Sequence, residues 1–199
     1  MRREKILRIA YEKFSIKGYN TPLSEIAVAA GIKKQSIYNY FENKDALFFE
    51  MIKLEVDVYF HERLDEIRIL KDGDPEEQLK TIFFSIIDYY SDISKLKFWR
   101  WLLLIDSKDL FERTQASIHY YESEISKELQ SCVANLLQDE KKVEEYAIPI
   151  IQSFMTVLHG TLDGILLYQD VFDTEIYTEN VWFMFWTGVK CIINQDSKE

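Results

Sequence analysis

Leu23–Leu47 reads LSEIAVAAGIKKQSIYNYFENKDAL. Apolar side chains recur at helical spacing on both sides of Gly31, and a further helix start follows at Asn43. Glycine ends helices readily because it adopts the left-handed backbone conformation without a steric penalty. The small side chains of Ala27 and Ala30 let two helices approach closely, as a tight helix-turn-helix requires. The stretch therefore predicts two short helices joined by a sharp turn.

The second of these short helices, predicted over residues 34–41, begins with polar side chains suited to DNA. Lys33 and Lys34 can reach phosphates or guanine edges, and Gln35 can donate and accept hydrogen bonds at a base edge. A helix-turn-helix places its second helix in the major groove, where such side chains read bases. The residues of this segment predicted to contact DNA are Lys33, Lys34, Gln35, Ser36, Tyr38, Asn39, Tyr40 and Lys44.

Each of these residues has a simpler interpretation when it is considered alone. A lysine pair is most often a solvated helix face, and a tyrosine such as Tyr38 or Tyr40 is more often a packing residue than a DNA contact. Ile37 and Phe41 are predicted core residues of the same helix. The combination at this spacing favours DNA binding.

Residues 4–55 resemble the TetR family of bacterial transcription regulators. The resemblance is carried by Ile37–Phe41, which reads IYNYF, by the following Asn43-Lys44, and by Ala30-Gly31-Ile32. It implies three DNA-binding helices, a linking fourth helix and a helical domain that binds an inducer and forms a homodimer. Pro22 stands where many members have threonine, so that a phosphate contact there moves to Thr21 or Ser24, or is lost.

Helical periodicity continues through the rest of the chain and predicts an all-α fold of about nine helices. A domain boundary near residue 46 would separate a helix-turn-helix domain, residues 1–46, from a ligand-binding and dimerisation domain, residues 47–199. The helices are predicted over 4–17, from Thr21-Pro22 to 30, and over 34–41, 44–70, 75–92, 96–105, 108–137, 141–169 (interrupted by Pro149) and 173–194.

The charge distribution supports a polyanionic partner for the N-terminal region alone. Residues 1–44 hold nine Lys/Arg and four Asp/Glu, whereas the whole chain has a net charge of −10. A basic region on an acidic body suggests that only the basic region meets nucleic acid. The simpler alternative is that so short a segment becomes basic by chance.

The chain is expected to be cytoplasmic, with no membrane partner. Cys132 and Cys191 lie far apart and are interpreted as small apolar residues in a reducing compartment. The N-terminus leads into an amphipathic helix and not into an apolar signal core. The longest apolar runs, residues 101–105 and 181–186, are too short to span a bilayer.

No catalytic, metal or cofactor site is predicted. His61, His119 and His159 fall on separate helices, and no glycine-rich phosphate loop or nucleophile elbow is present. Acidic pairs are most simply solvated helix faces. The expected protein is therefore not an enzyme.

The acidic body contains more aromatic side chains than a minimal core needs. Most of them are expected to be core or dimer interface, but an aromatic-lined pocket between helices is the usual place for a small ligand. The effector would be apolar or aromatic, and cationic if Asp88 or Asp163 faces the pocket. The candidate lining residues are Phe84, Asp88, Trp99, Leu103, Phe111, Tyr121, Met155 and His159.

The last two helices are the predicted homodimer interface. Two glycines four residues apart permit close helix approach, and the last helix is apolar over a broad face that needs a partner. The candidate interface residues are Gly160, Gly164, Trp182, Phe185 and Val189.

These patterns predict a dimeric, ligand-responsive transcription regulator that binds a double-stranded DNA operator, with a repressor favoured over an activator. An alternative of a different class is a helical small-molecule-binding protein or enzyme whose basic N-terminal region is incidental. The salt dependence of duplex binding separates the two, because a DNA binder loses affinity steeply as salt rises.

Overall fold

Nine α-helices and one 3-10 turn make up the part of the chain that the computed structural model describes, residues 2–70, 73–168, 171 and 173–195. The all-α prediction is confirmed. The helices are α1 (Arg2–Lys17), α2 (Leu23–Ala30), α3 (Lys34–Ile37), α4 (Lys44–Ile69), α5 (Pro75–Tyr89), α6 (Ile93–Leu102), α7 (Lys108–Leu137), α8 (Glu140–Tyr168) and α9 (Thr174–Ile193), and the 3-10 turn is Gly18–Asn20.

Several details of the predicted helices were wrong, and α5 and α6 also end earlier than predicted, at Tyr89 and Leu102. Helix α3 ends at Ile37 and not at Phe41 as predicted. The chain continues from Ile37 to Phe41 through tight turns. Helix α6 begins at Ile93, since the Asp92 carboxylate accepts the Ser94 N–H and caps it. Helix α8 runs on through Pro149, whose side chain is exposed.

The chain divides into two compact units that do not follow the predicted boundary near residue 46. The first unit comprises Met1–Glu62 with Asp92–Glu122, and the second comprises Arg63–Ser91 with Ser123–Glu199. Helix α6 belongs with the N-terminal helices because its Phe98 ring packs against the rings of Tyr11 and Phe14, with centroid separations of 5.0 Å and 5.7 Å.

Within the first unit, α4 and the first half of α7 lie side by side and run in the same direction. Three successive contacts define this register. Ser107 donates a hydrogen bond to Asp45, the Arg113 guanidinium lies 3.7 Å from the Phe49 ring centroid, and the Tyr121 hydroxyl donates to Asp57 at 3.0 Å. The pairing ties the start of α7 to the start of α4.

The second unit has an aromatic core built by α5, α8 and α9. The Trp182 ring lies 5.5 Å from that of Phe83 and stacks on that of Trp186, and Phe154 packs against Phe83 and Phe185. Trp182 is 5% exposed. Burying aromatic side chains of this size is the main source of stability that such a core has.

Several residues of the predicted dimer interface pack within their own chain instead. Trp182 and Val189 are buried within their own chain, so their side chains are not available to a partner. Gly164 is buried against its own chain, where a Cβ would lie 2.4 Å from the Tyr177 hydroxyl oxygen. Phe185 is half-buried, whereas Gly160 is exposed with nothing near its Cβ position.

Helix α8 is long and apolar enough to cross a membrane by length and composition, although no uninterrupted apolar run in it is long. In the structure, 44% of its most apolar window is buried inside the chain. The core helix of a globular protein has the same properties, and here Phe154 and Leu158 of α8 contribute to the core.

Candidate nucleic-acid interface

The turn between α2 and α3 depends on the backbone of Gly31. Its φ of +71° is left-handed, and its N–H donates to the Val28 carbonyl at 3.0 Å. The Ile32 N–H donates to the Ala27 carbonyl, also at 3.0 Å, which completes the capping pattern of a helix that ends at glycine. The predicted helix-turn-helix is therefore present, and the turn sends the chain sharply into α3.

Two apolar anchors orient α3 and the turns that follow it. Ile37 is fully buried and Phe41 is 4% exposed, so both side chains face the core of the first unit. Because they hold one face inward, the polar side chains project outward. Lys33, Lys34, Gln35, Ser24, Tyr38 and Asn39 are exposed, and Ser36 and Tyr40 are half-buried.

The two lysines at the start of α3 are available to an external anion. Within the described residues, neither Lys33 nor Lys34 forms an ion pair, whereas Lys17 is held by Glu25 at 2.7 Å. A lysine without a carboxylate partner keeps its charge free for a phosphate or a base edge.

Thr21 is not a surface residue. It is fully buried, and its hydroxyl donates to the Gly18 carbonyl at 2.9 Å and lies 3.2 Å from that of Lys13. The prediction that Thr21 caps α2 or contacts phosphate was therefore wrong. Its hydroxyl closes the 3-10 turn instead, and Pro22 occupies the N-cap of α2.

Lys44 begins α4, which Asn43 caps as predicted by accepting the Ala46 N–H at 2.8 Å. The Lys44 ammonium lies 4.3 Å from the Tyr19 ring centroid and 5.5 Å from that of Phe48. Burial lowers the pKa of the Lys44 ammonium. The lysine is thus held in one place by aromatic faces, an attraction typical of cations over tyrosine.

Sequence reasoning missed the partners of Asp45. Its carboxylate accepts hydrogen bonds from the Tyr19 hydroxyl at 2.6 Å and from the Ser107 hydroxyl at 2.5 Å. Burial and the bond to Asp45 raise the pKa of Tyr19 to about 12. In the sequence, Tyr19, Asp45 and Ser107 are isolated polar residues far apart in the chain. Helical periodicity does not indicate that such residues contact one another.

The predicted ligand-pocket residues are divided between the two units. Trp99, Leu103, Phe111 and Tyr121 lie in the first, and Phe84, Asp88, Met155 and His159 lie in the second. Asp88, Leu103 and His159 are exposed on the chain. The Phe60 ring brings Trp99 and Tyr121 together, with centroid separations of 5.8 Å and 5.0 Å, while Phe84 packs on Trp182.

Metal ligation was not expected from the sequence. Among the residues that the structure describes, no group of three or more His, Cys, Asp or Glu side chains could hold a metal ion.

Comparison with known proteins finds similarity to one family over the helix-turn-helix. Residues 6–51, which span α1 to the first part of α4, match the family model described as bacterial regulatory proteins, tetR family. An uncharacterised HTH-type transcriptional regulator, YdgC of Bacillus subtilis (strain 168), is 32% identical over 108 residues. That alignment covers 49% of this chain, and the chain spans about half of the relative, 53% of its length.

Solved structures share the whole fold at low sequence identity. A TetR-family transcriptional regulator from Bordetella parapertussis 12822 aligns over 98% of both chains with a TM-score of 0.66 and 19% identity. The regulator FadR from Bacillus subtilis, crystallised with stearoyl-CoA, aligns over 93% of this chain and 98% of its own, with a TM-score of 0.69 and 17% identity. Over residues 6–51, the N-terminal helix-turn-helix of this chain therefore matches that of the bacterial regulatory proteins of the tetR family.

Proposed function

We propose that the chain is a homodimeric, DNA-binding transcription regulator, a repressor that a small molecule releases from its operator. The observation that carries the proposal is the outward polar face of α3. Lys33, Lys34 and Gln35 are exposed at the start of that helix, and Ile37 and Phe41 fix its orientation.

The mechanism follows from the dimensions of duplex DNA. Each protomer places α3 in the major groove, with its first residues at the base edges. Lys44 and the hydroxyls near the turn contact phosphates, which set the position of the helix without reading sequence. A homodimer engages two half-sites of a near-palindromic operator, so weak contacts by a short helix add up to specific binding.

An exposed apolar face on α8 and α9 supports dimerisation. Phe183 is 62% exposed and Met184 is 69% exposed, and both lie on the outer face of α9. Gly160 and Gly188 have no atom near their Cβ positions and would admit a partner helix. Exposed apolar groups this large usually mark an interface. We place the interface on this face, beside the buried Trp182.

The proposed effector is a small apolar or aromatic molecule. The aromatic side chains of both units supply apolar contact surface of the kind that ligand pockets use. Because Asp88 and Asp163 are both exposed on the chain, neither carboxylate favours a cationic effector. The effector can release DNA only if its affinity differs between the DNA-binding and the released states. The site of action would be the cytoplasm, where the operator is, without a membrane partner.

Salt dependence tests the proposal against a non-DNA-binding alternative. We expect the wild-type protein to bind a mixed-sequence duplex at low salt, with log K falling linearly against log salt by about 0.9 for each phosphate contacted. Fluorescence anisotropy between low and physiological salt measures this slope. If no duplex is bound at low salt, the protein is instead a helical small-molecule-binding protein or enzyme. The position of the operator relative to a promoter then separates a repressor from an activator.

The base-reading residues give a second prediction. Lys34→Ala and Gln35→Ala should each weaken binding to an operator selected from a randomised duplex library by about 1–3 kcal/mol, because each removes a base contact. The matched controls are Lys97→Ala and Gln130→Ala, which alter exposed residues on α6 and α7. Operator affinities equal to those of the controls would remove both residues from the reading face.

A further inference from the structure

We propose that Asp45 is a positioning residue for DNA binding, which joins the 3-10 turn, the first turn of α4 and the start of α7, and thereby holds Lys44 at the DNA backbone. The inference rests on the proposed function and adds a route by which a displacement of α7 reaches the DNA-contacting side chains.

The geometry is a single carboxylate with two occupied oxygens. Asp45 Oδ1 accepts from the Tyr19 hydroxyl at 2.6 Å, and Oδ2 accepts from the Ser107 hydroxyl at 2.5 Å. Hydrogen bonds to an ionised acceptor are about twice as strong as neutral ones, and both of these bonds are part-buried. We call this arrangement, Tyr19–Asp45–Ser107, the carboxylate junction.

The junction positions Lys44 through the ring of Tyr19. Asp45 fixes the hydroxyl end of that side chain, and the Phe48 ring lies at its edge with a centroid separation of 5.8 Å. The ring so fixed presents its face to the Lys44 ammonium at 4.3 Å. With a pKa of about 12, Tyr19 stays protonated at neutral pH and continues to donate to Asp45. Movement of Asp45 would therefore move the lysine.

Ser107 connects the junction to α7. It directly precedes the helix, and besides donating to Asp45 its hydroxyl accepts the Leu110 N–H at 3.4 Å. Helix α7 then follows α4 through the Arg113–Phe49 and Tyr121–Asp57 contacts described above. A shift of α7 relative to α4 would therefore displace Ser107 and, through its hydrogen bond, Asp45, which is next to Lys44 in the chain.

A charge effect and a positioning effect of Asp45 predict opposite changes in duplex binding when the carboxylate is removed. A carboxylate close to DNA repels phosphates, so if Asp45 acted only through its charge, removing it would tighten duplex binding. If Asp45 positions Lys44, removing its hydrogen-bonding oxygens should instead cost the lysine's phosphate contact. Asparagine separates the two effects, because it lacks the charge but keeps an acceptor for Tyr19 and a polar group for Ser107.

The experiment measures the salt slope of binding to a mixed-sequence duplex by the intact dimer. We expect Asp45→Ala to lower the slope by about 0.9 for each protomer's lost phosphate contact, as Lys44→Ala does. The double variant should fall no further than Lys44→Ala. Asp45→Asn should restore the slope. Tyr19→Phe keeps the ring but loses the hydroxyl, and should give an intermediate value.

The α7 branch has its own matched pair. Ser107→Ala should lower the slope, whereas Ser117→Ala, which removes a hydroxyl that donates within α7 to the Arg113 carbonyl, should not. Glu42→Gln is the charge control, because Glu42 is exposed near the same region, and it should leave the slope unchanged or tighten binding.

The outcomes are distinguishable. An Asp45→Ala variant that binds more tightly with an unchanged slope overturns the inference, and so does a Ser107→Ala slope equal to that of Ser117→Ala. Thermal unfolding verifies that each variant is folded. If Asp45→Ala is not folded, the Tyr19→Phe and Ser107→Ala slopes decide whether Asp45 positions Lys44. A wild-type protein without salt-dependent binding would overturn the proposed function itself.

Discussion

Gly18→Ala is expected to destabilise the protein by about 2–5 kcal/mol, against about 1–2 kcal/mol for the same substitution at Gly31. Both glycines have left-handed backbones, with φ of +61° and +71°. Alanine in that conformation costs about 1–2 kcal/mol at either position. At Gly18 a Cβ would also lie 2.5 Å from Trp101 Cε3, whereas at Gly31 it meets nothing within 4 Å.

A Cβ at Gly18 would meet the rigid part of Trp101. The clash is with the body of its indole, at Cε3 and Cδ2, and not with the tip of a flexible chain. Overpacking of this kind typically costs about 1–3 kcal/mol in addition to the backbone term. Urea denaturation of the two alanine variants measures the difference directly, since both share the backbone cost.

A compensating variant checks the cause. Gly18→Ala combined with Trp101→Leu should lose less stability than the sum of the two single changes, because leucine removes the clashing ring. Equal losses for Gly18→Ala and Gly31→Ala would show that the indole does not restrict this turn.

The helix-turn-helix could be predicted from the sequence because each of its features is local. Gly31 ends α2 with its own backbone conformation, and Ile37 and Phe41 mark the buried face by their spacing. Polar residues between such anchors must then point outward. The long helices were equally predictable, and α7 has the bounds that its periodicity predicted.

Contacts between distant segments could not be predicted in this way. Threonine is a common helix cap, but the Thr21 hydroxyl donates to the Gly18 carbonyl once the 3-10 turn forms. Phe98 packs on Phe14 and Trp101 lies against Gly18, and the members of each pair are more than 80 positions apart in the sequence. Apolar periodicity shows that a face is covered without showing which segment covers it.

The same limit explains why the dimer surface that we propose differs from the one predicted from the sequence. Trp182 and Phe183 are adjacent aromatic residues on α9, and the broad apolar face of that helix placed the tryptophan in the predicted interface. In the structure Trp182 faces the chain's own core and Phe183 faces outward. A substitution at Trp182 should therefore change the free energy of unfolding, and a substitution at Phe183 should change dimerisation.

Phe183→Asp together with Met184→Asp is expected to convert the dimer to monomer and to lower operator affinity by about 10²–10⁴-fold. Two carboxylates in an apolar interface lose their hydration without gaining partners. A monomer engages one half-site only, and it loses the effective concentration that links the two heads. Analytical ultracentrifugation gives the mass, and fluorescence anisotropy with the selected operator gives the affinity.

Two comparisons keep that result specific to the interface. Ile69→Asp changes an apolar side chain that is 83% exposed on α4 and should leave both mass and operator affinity unchanged. Trp182→Ala should instead lower the free energy of unfolding by about 3–5 kcal/mol, because it empties a buried aromatic site. If the double aspartate variant stays dimeric, the partner must use another face, and the spacing of the two recognition helices would have to be derived from that face instead.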